Sequence, residues 1–154
     1  MRRKDREITD KIKIDEIMKQ CHVCRVGFND DGKVYIVPLN FGYEIKNDRY
    51  ILYFHSAKQG KKIDLIEKNR NAGFEMDTGY ELVKDKIACG HSALYKSIIG
   101  NGLISIVHGD EKIHGLKLLM EHETSQNEWD FDESMLIAVT VFKIDVTELS
   151  CKEH

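Results

Sequence analysis

The sequence predicts a mainly β fold: a small antiparallel barrel with a few helices packed on it. Three observations predict it. Short apolar runs with strand character outnumber the stretches with helical periodicity. Compact turn signals, Asn29-Asp30-Asp31-Gly32 and Lys46-Asn47-Asp48-Arg49, join neighbouring runs as hairpins do. The 154 residues contain no linker, repeat or change of composition, so residues 1–154 read as one domain around one core.

The elements follow in order. Residues 1–8, charged throughout their first half, are expected to form a flexible or peripheral arm. Ile12, Ile14, Ile17 and Met18 share a helical spacing between Asp10 and Gln20, with Asp10 as the cap. Val23–Phe28 and Lys33–Tyr43 read as the two strands of a hairpin, and Tyr50–His55 as a third strand. Ser56-Ala57-Lys58-Gln59 has the spacing of a capping box, so a helix is expected to begin there. Ile63, Leu65 and Ile66 supply its apolar face, and Asn69 its stop. Ala72–Met76 is expected as a strand, and Tyr95–Val107 as a longer one interrupted at Gly100 and Gly102. Glu111–His122 carries Ile113, Leu116, Leu119 and Met120 on one helical face, and Leu136–Val146 closes the chain as an apolar strand.

Composition excludes several functions. Lysine and arginine total 23 against 26 acidic residues, a net charge of −3, which gives no electrostatic footprint for nucleic acid. No apolar run approaches the roughly 20 residues of a membrane-spanning helix. The charged start, Arg2-Arg3-Lys4-Asp5-Arg6-Glu7, leads into no apolar stretch, so no secretory signal is expected. The four cysteines, Cys21, Cys24, Cys89 and Cys151, are then expected as reduced thiols in a cytoplasmic protein.

The segment richest in chemistry is Tyr53-Phe54-His55-Ser56-Ala57-Lys58-Gln59-Gly60-Lys61-Lys62. Read as a helix start, it places Lys58, Lys61 and Lys62 on one face. Cations there oppose the helix dipole, unless an anion binds and reverses the sign. Gly60, costly inside a helix, is explained by close approach of a ligand. The competing reading is a solvated basic helix start. A second odd segment, Tyr35-Ile36-Val37-Pro38-Leu39-Asn40-Phe41-Gly42-Tyr43, is a strand interrupted by Pro38, which marks an edge or a bulge. Its aromatics flank a flat ring or simply fill the core.

These two segments, with Phe74-Glu75-Met76-Asp77, Tyr95 to Gly102 and Val141-Phe142-Lys143-Ile144, resemble in order and spacing the FMN-binding split barrels related to pyridoxamine 5'-phosphate oxidase. The nitroimidazole-resistance (Nim-type) branch is the most similar in these motifs. The resemblance implies a homodimer with FMN at the subunit interface. It implies that Val37, Pro38, Leu39 and Asn40 lie along the flavin ring. Tyr53, His55 and Ser56 would lie near the ring and ribityl chain. Lys61 and Lys62 would hold the phosphate, assisted by Lys58, and Tyr95 and Ser97 would approach from the partner. His55 is the expected catalytic residue, stabilising negative charge on the reduced cofactor or donating a proton to substrate. The implied activity passes electrons from a reductant to a small acceptor such as a nitroaromatic compound. A flavin- or haem-binding module without turnover is the alternative, with His55, His91 or His108 as haem ligand. A deazaflavin-using relative is a third. Lysines stand where pyridoxamine phosphate oxidases place arginine, and the arginine-rich C-terminal segment of that enzyme is missing, which argues against its activity here.

Two other constellations carry less. Cys21-His22-Val23-Cys24 has metal or redox spacing, but nothing brings Cys89 and His91 to it, so it reads as a reduced, partly buried pair and no metal site is expected. Residues 124–133, acidic and containing Trp129, form a lid or an exposed loop.

Overall fold

The computed structural model describes residues 3–154. In chain order it forms β1 (Glu7–Ile8), α1 (Lys11–Gln20), β2 (Cys24–Asp30), β3 (Lys33–Leu39), β4 (Gly42–Lys46), β5 (Arg49–Ala57), α2 (Lys61–Lys68), β6 (Asn71–Val83), β7 (Ser92–Val107), α3 (Gly109–Thr124), α4 (Glu133–Ala138) and β8 (Val139–Glu153). Of the expected N-terminal arm, residues 1–2 lie outside the described residues. Glu7 and Ile8 pair with Lys152 and Cys151, so this part is peripheral and held in place.

The strands form one antiparallel sheet in the order β3-β2-β6-β7-β8-β5-β4, with β1 added beside β8. β3 and β4 stand at opposite ends of that order, yet only Asn40 and Phe41 separate them in the chain. From Leu39 to Gly42 an extended chain reaches at most about 11 Å. The sheet must therefore curl until its two ends nearly meet. The last seam is closed by the chain itself, which makes the architecture a split barrel.

This seam corrects the sequence reading at one strand. Lys33–Tyr43 is not continuous. Leu39 pairs with Cys24 of β2, whereas Gly42 pairs with Tyr53 of β5. The chain leaves one end of the sheet and enters the other, and Phe41 is buried completely at the crossing. Pro38 sits on the end strand β3, where a missing N–H costs no ladder bond on the outer side.

Side-chain alternation sorts each strand into an inner and an outer face. Leu52, Phe54, Phe142, Ile144 and Ile104 fill the barrel, with the rings of Phe54 and Phe142 stacked at 5.3 Å. Ile14, Ile17 and Met18 of α1 and Ile63, Leu65 and Ile66 of α2 enter the same core. Asp10 caps α1 by accepting the Ile12 N–H at 2.9 Å. On the outer face, Ile51, Tyr53, Val107 and Val141 form a second cluster closed by Leu116 of α3. The helix lies close there. A Cβ on Gly42 would sit 2.2 Å from the Leu119 nitrogen, so only glycine admits the α3 backbone at that point.

Other boundaries also differ. β6 runs on to Val83 and β8 to Glu153, because each keeps a ladder partner in β7 well past its apolar stretch. β7 is one strand through Gly100 and Gly102, with a register shift between Asn101 and Gly102. Residues Leu136–Ala138 belong to α4, which sequence periodicity over so short a stretch does not reveal.

Candidate functional site

The junction between β5 and α2 differs from the capping box read in the sequence. β5 extends through Ser56 and Ala57, which pair with Thr140 and Val139. The helix begins at Lys61, and Gly60 is its N-cap at φ 135°, ψ 163°, a backbone conformation that favours glycine. No side chain of the described residues caps the helix. Its first N–H groups are therefore left for water or a ligand. Lys58 lies before the helix, so the three lysines do not share a helical face.

Ser56 is buried on the inner face of β5, and its Oγ has no hydrogen-bond partner among the described residues. A buried unpaired hydroxyl costs free energy, and a group that binds and satisfies it recovers that cost. This orphan beside an uncapped helix start is what a cofactor phosphate or ribityl hydroxyl fits.

The lysines part company. Lys61 Nζ pairs with Asp30 at the end of β2 at 2.6 Å and lies over the Tyr35 ring of β3, 4.8 Å from its centroid. α2 thus crosses from the β5 half of the barrel to the β2–β3 half and spans the split. Lys62 is half-buried and close enough to His55 to act on its protonation. His55 is exposed on the outer face of β5, opposite Val141. Partial desolvation of its ring by neighbouring atoms, and then the Lys62 charge, hold the imidazole below its ordinary pKa. At neutral pH it is uncharged. Lys58 lines a different feature, a cavity of about 680 Å³ between α3, α4 and the start of β8 that also exposes His108 and Lys112.

The remaining expected site residues fall in three places. Val37 and Leu39 lean into the core, while Pro38 between them is exposed on the free edge of β3. Asn40 in the crossing donates from Nδ2 to the His22 carbonyl at 3.2 Å and to Glu123 Oε1 at 3.0 Å, so its amide ties α3 to the crossing. Tyr53 faces α3 with its hydroxyl on Glu44 at 2.9 Å and Glu111 at 3.4 Å. Its ring and hydroxyl are consumed inside the protomer. Tyr95 and Ser97 lie near the far end of β7, Tyr95 bonded through its backbone to His154 and Ser97 opposite Lys152 of β8. The β5–α2 junction meets β8 at Thr140, roughly 40 Å away measured along that strand. One chain does not bring them together.

Sequence reasoning missed Asp30, which it used only as a turn residue, and the polar network around Tyr53. In that network Glu44 also accepts from His114 at 3.0 Å, and Glu111 accepts from Lys143 at 2.8 Å. His114, Glu111 and Lys143 are distant in sequence from the β4–β5 hairpin, and the packing of α3 on neighbouring β4, β5 and β8 assembles them. The CxxC cysteines are fully buried and form no disulfide among the described residues, and Cys151 is a third buried thiol. Among the described residues no group of three or more metal-binding side chains converges. No described helix is long and apolar enough to cross a membrane.

Comparison with known proteins places this arrangement. The sequence profile of the pyridoxamine 5'-phosphate oxidase family matches residues 10–153. A crystal structure from Bacteroides thetaiotaomicron, provisionally assigned to 5-nitroimidazole antibiotic resistance, superposes with a TM-score of 0.81. It is 33% identical, over 96% of this chain and 86% of that one. Two more distant structures share the fold. An FAD- and haem-binding protein from Mycobacterium smegmatis is 16% identical over 96% of this chain and 73% of that one, with a TM-score of 0.82. A flavocytochrome from Azotobacter vinelandii is 18% identical over 100% of this chain and 72% of that one, with a TM-score of 0.78. No curated protein sequence matches significantly. The chain belongs to the pyridoxamine 5'-phosphate oxidase family of split barrels, and within it is similar to the nitroimidazole-resistance proteins.

Proposed function

We infer that the protein is an FMN-binding oxidoreductase of the cytoplasm, working as a homodimer. The observation that carries this reading is the β5–α2 junction, where a helix start without a side-chain cap follows a buried serine hydroxyl that finds no partner among the described residues. The chemistry supplied by bound FMN is transfer of electrons from a reductant, such as a nicotinamide nucleotide, to a small acceptor, such as a nitroaromatic compound.

The chain's own residues have simpler tasks. The first N–H groups of α2 and the Lys62 ammonium present converging positive charge to a phosphate. Ser56 Oγ provides the hydroxyl partner. The free edge of β3 at Pro38 offers backbone groups and a flat apolar flank to a ring. His55, neutral and beside Lys62, holds a proton on one ring nitrogen and leaves the other free to accept one, as a proton donor to substrate must between turnovers. Tyr95 and Ser97 of the partner subunit complete the site, which explains why one chain leaves them so far from the junction.

The test is FMN affinity, read from quenching of flavin fluorescence, in the Lys61→Ala, Lys62→Ala double variant. Loss of binding in a protein that keeps its circular dichroism spectrum is expected. Unchanged affinity overturns the phosphate assignment.

A further inference from the structure

We propose that Asp30 is a built-in competitor for the cofactor phosphate, which it opposes by holding Lys61 in an ion pair across the split of the barrel. The inference rests on the FMN reading above and assigns a residue that sets the affinity of that site.

Three observations carry it. Lys61 is the first residue of α2, beside the free N–H groups, yet its ammonium is turned onto Asp30 at 2.6 Å. The same ammonium lies over the Tyr35 ring, so it is held from two sides. Asp30 stands opposite Lys33 in the ladder at the β2–β3 hairpin, a fixed position on the other half of the barrel. The side-chain bond to Asp30 raises the Lys61 pKa above its ordinary value.

A phosphate dianion at the start of α2 and the Asp30 carboxylate compete for the same three donors of one ammonium. When Lys61 turns to the phosphate it must leave Asp30, and the carboxylate then faces the incoming anion as a like charge. Both effects weaken binding. Lys62, which has no such carboxylate partner among the described residues, remains available throughout. The arrangement keeps the empty site free of a bare pair of lysines and selects for a dianionic phosphate, the ligand able to outbid a single carboxylate.

The experiment compares wild type, Asp30→Asn, Lys61→Ala and the double variant, with FMN and riboflavin as probes, by fluorescence quenching. Asn keeps the shape and turn preference of Asp and removes the charge. The expected result is FMN binding about two- to fivefold tighter in Asp30→Asn, the range of an exposed ion pair, and no change for riboflavin, which lacks the phosphate. The gain should shrink when Lys61 is alanine, because its ion-pair part acts through that one interaction and only the relief of like-charge repulsion remains. Weaker FMN binding in Asp30→Asn would mean that the aspartate positions Lys61 and would overturn the proposal. So would a gain that is undiminished in the Lys61→Ala background or extends to riboflavin. A wild-type protein that binds no FMN would overturn the FMN reading, and the proposal with it.

Discussion

Ser56→Ala should stabilise the ligand-free protein and weaken its hold on FMN. Serine-to-alanine changes in a core are usually harmful when the hydroxyl is bonded. Here the residue is 7% exposed and its Oγ is unpaired, so the folded protein has lost the hydration of that group without replacement. Leaving a buried polar group unsatisfied costs about 1–3 kcal/mol, and removing the oxygen recovers part of it. The change deletes one atom, so the cavity left is too small to offset more than a fraction of the gain. A net stabilisation of about 1 kcal/mol follows, which for a chain of 154 residues raises the melting temperature by about 2–4 °C. With FMN present the sign reverses. The variant lacks one hydrogen bond worth about 0.5–1.5 kcal/mol net, so its FMN dissociation constant rises about two- to tenfold. Urea unfolding of the ligand-free protein and a flavin titration measure the two halves separately. A ligand-free variant less stable than wild type by 1 kcal/mol or more would show that Oγ has a partner in solution. Unaltered FMN affinity would show that the hydroxyl does not face the cofactor. Either result refutes the reasoning.

Three further outcomes follow from the same structure. Gly42→Ala puts a methyl group 2.2 Å from the Leu119 nitrogen and 2.3 Å from the Leu118 carbonyl carbon, so α3 must lift; destabilisation of about 2 kcal/mol or more is expected in urea unfolding. Gly27→Ala, whose added carbon meets nothing nearer than 3.7 Å, is the control and should change stability by less than about 1 kcal/mol. His55 has a folded-state pKa below its ordinary 6.5, so the unfolded chain takes up the proton first. The stability this contributes is complete above the unfolded value and is lost as pH falls through the folded one. His55→Gln should therefore flatten the pH dependence of the urea midpoint on the acid side of about pH 6.5, and an unchanged profile would count against a desolvated imidazole. Burial raises the thiol pKa of Cys21 to about 12 and of Cys151 to about 11, while Cys89 is exposed. Titration with a thiol reagent should find one reactive group in the native protein and four after unfolding; two or more fast native thiols would contradict the packing.

Much of this architecture is written locally in the chain. Asp10 caps the helix that it marks in the sequence, and Asn29 accepts the Gly32 N–H at 3.0 Å in the hairpin turn it announces. Pro38 stands on the end strand that a missing N–H requires. What depends on the curl of the sheet is not local. Residues 33–43 read as one strand because nothing in their alternation signals that the chain changes partners at Asn40. Ser56 to Gln59 satisfy the capping-box pattern, yet Ser56 is held in β5 by its ladder with Thr140, and tertiary pairing overrides the local signal. Lys61 is far in sequence from Asp30 and Tyr35 and meets them only across the split. Family resemblance pointed to the β5–α2 junction, and the structure adds how its lysines are used: one held by Asp30, one beside His55, and one outside the helix altogether.

The most direct measurement is the absorption spectrum of protein purified without added cofactor, followed by release of any chromophore and its mass. The account predicts the blue and near-ultraviolet bands of oxidised flavin, with the mass of FMN at about one per chain, or uptake of FMN by colourless protein to that ratio. A Soret band from haem, or a colourless protein that takes up no FMN, would contradict it.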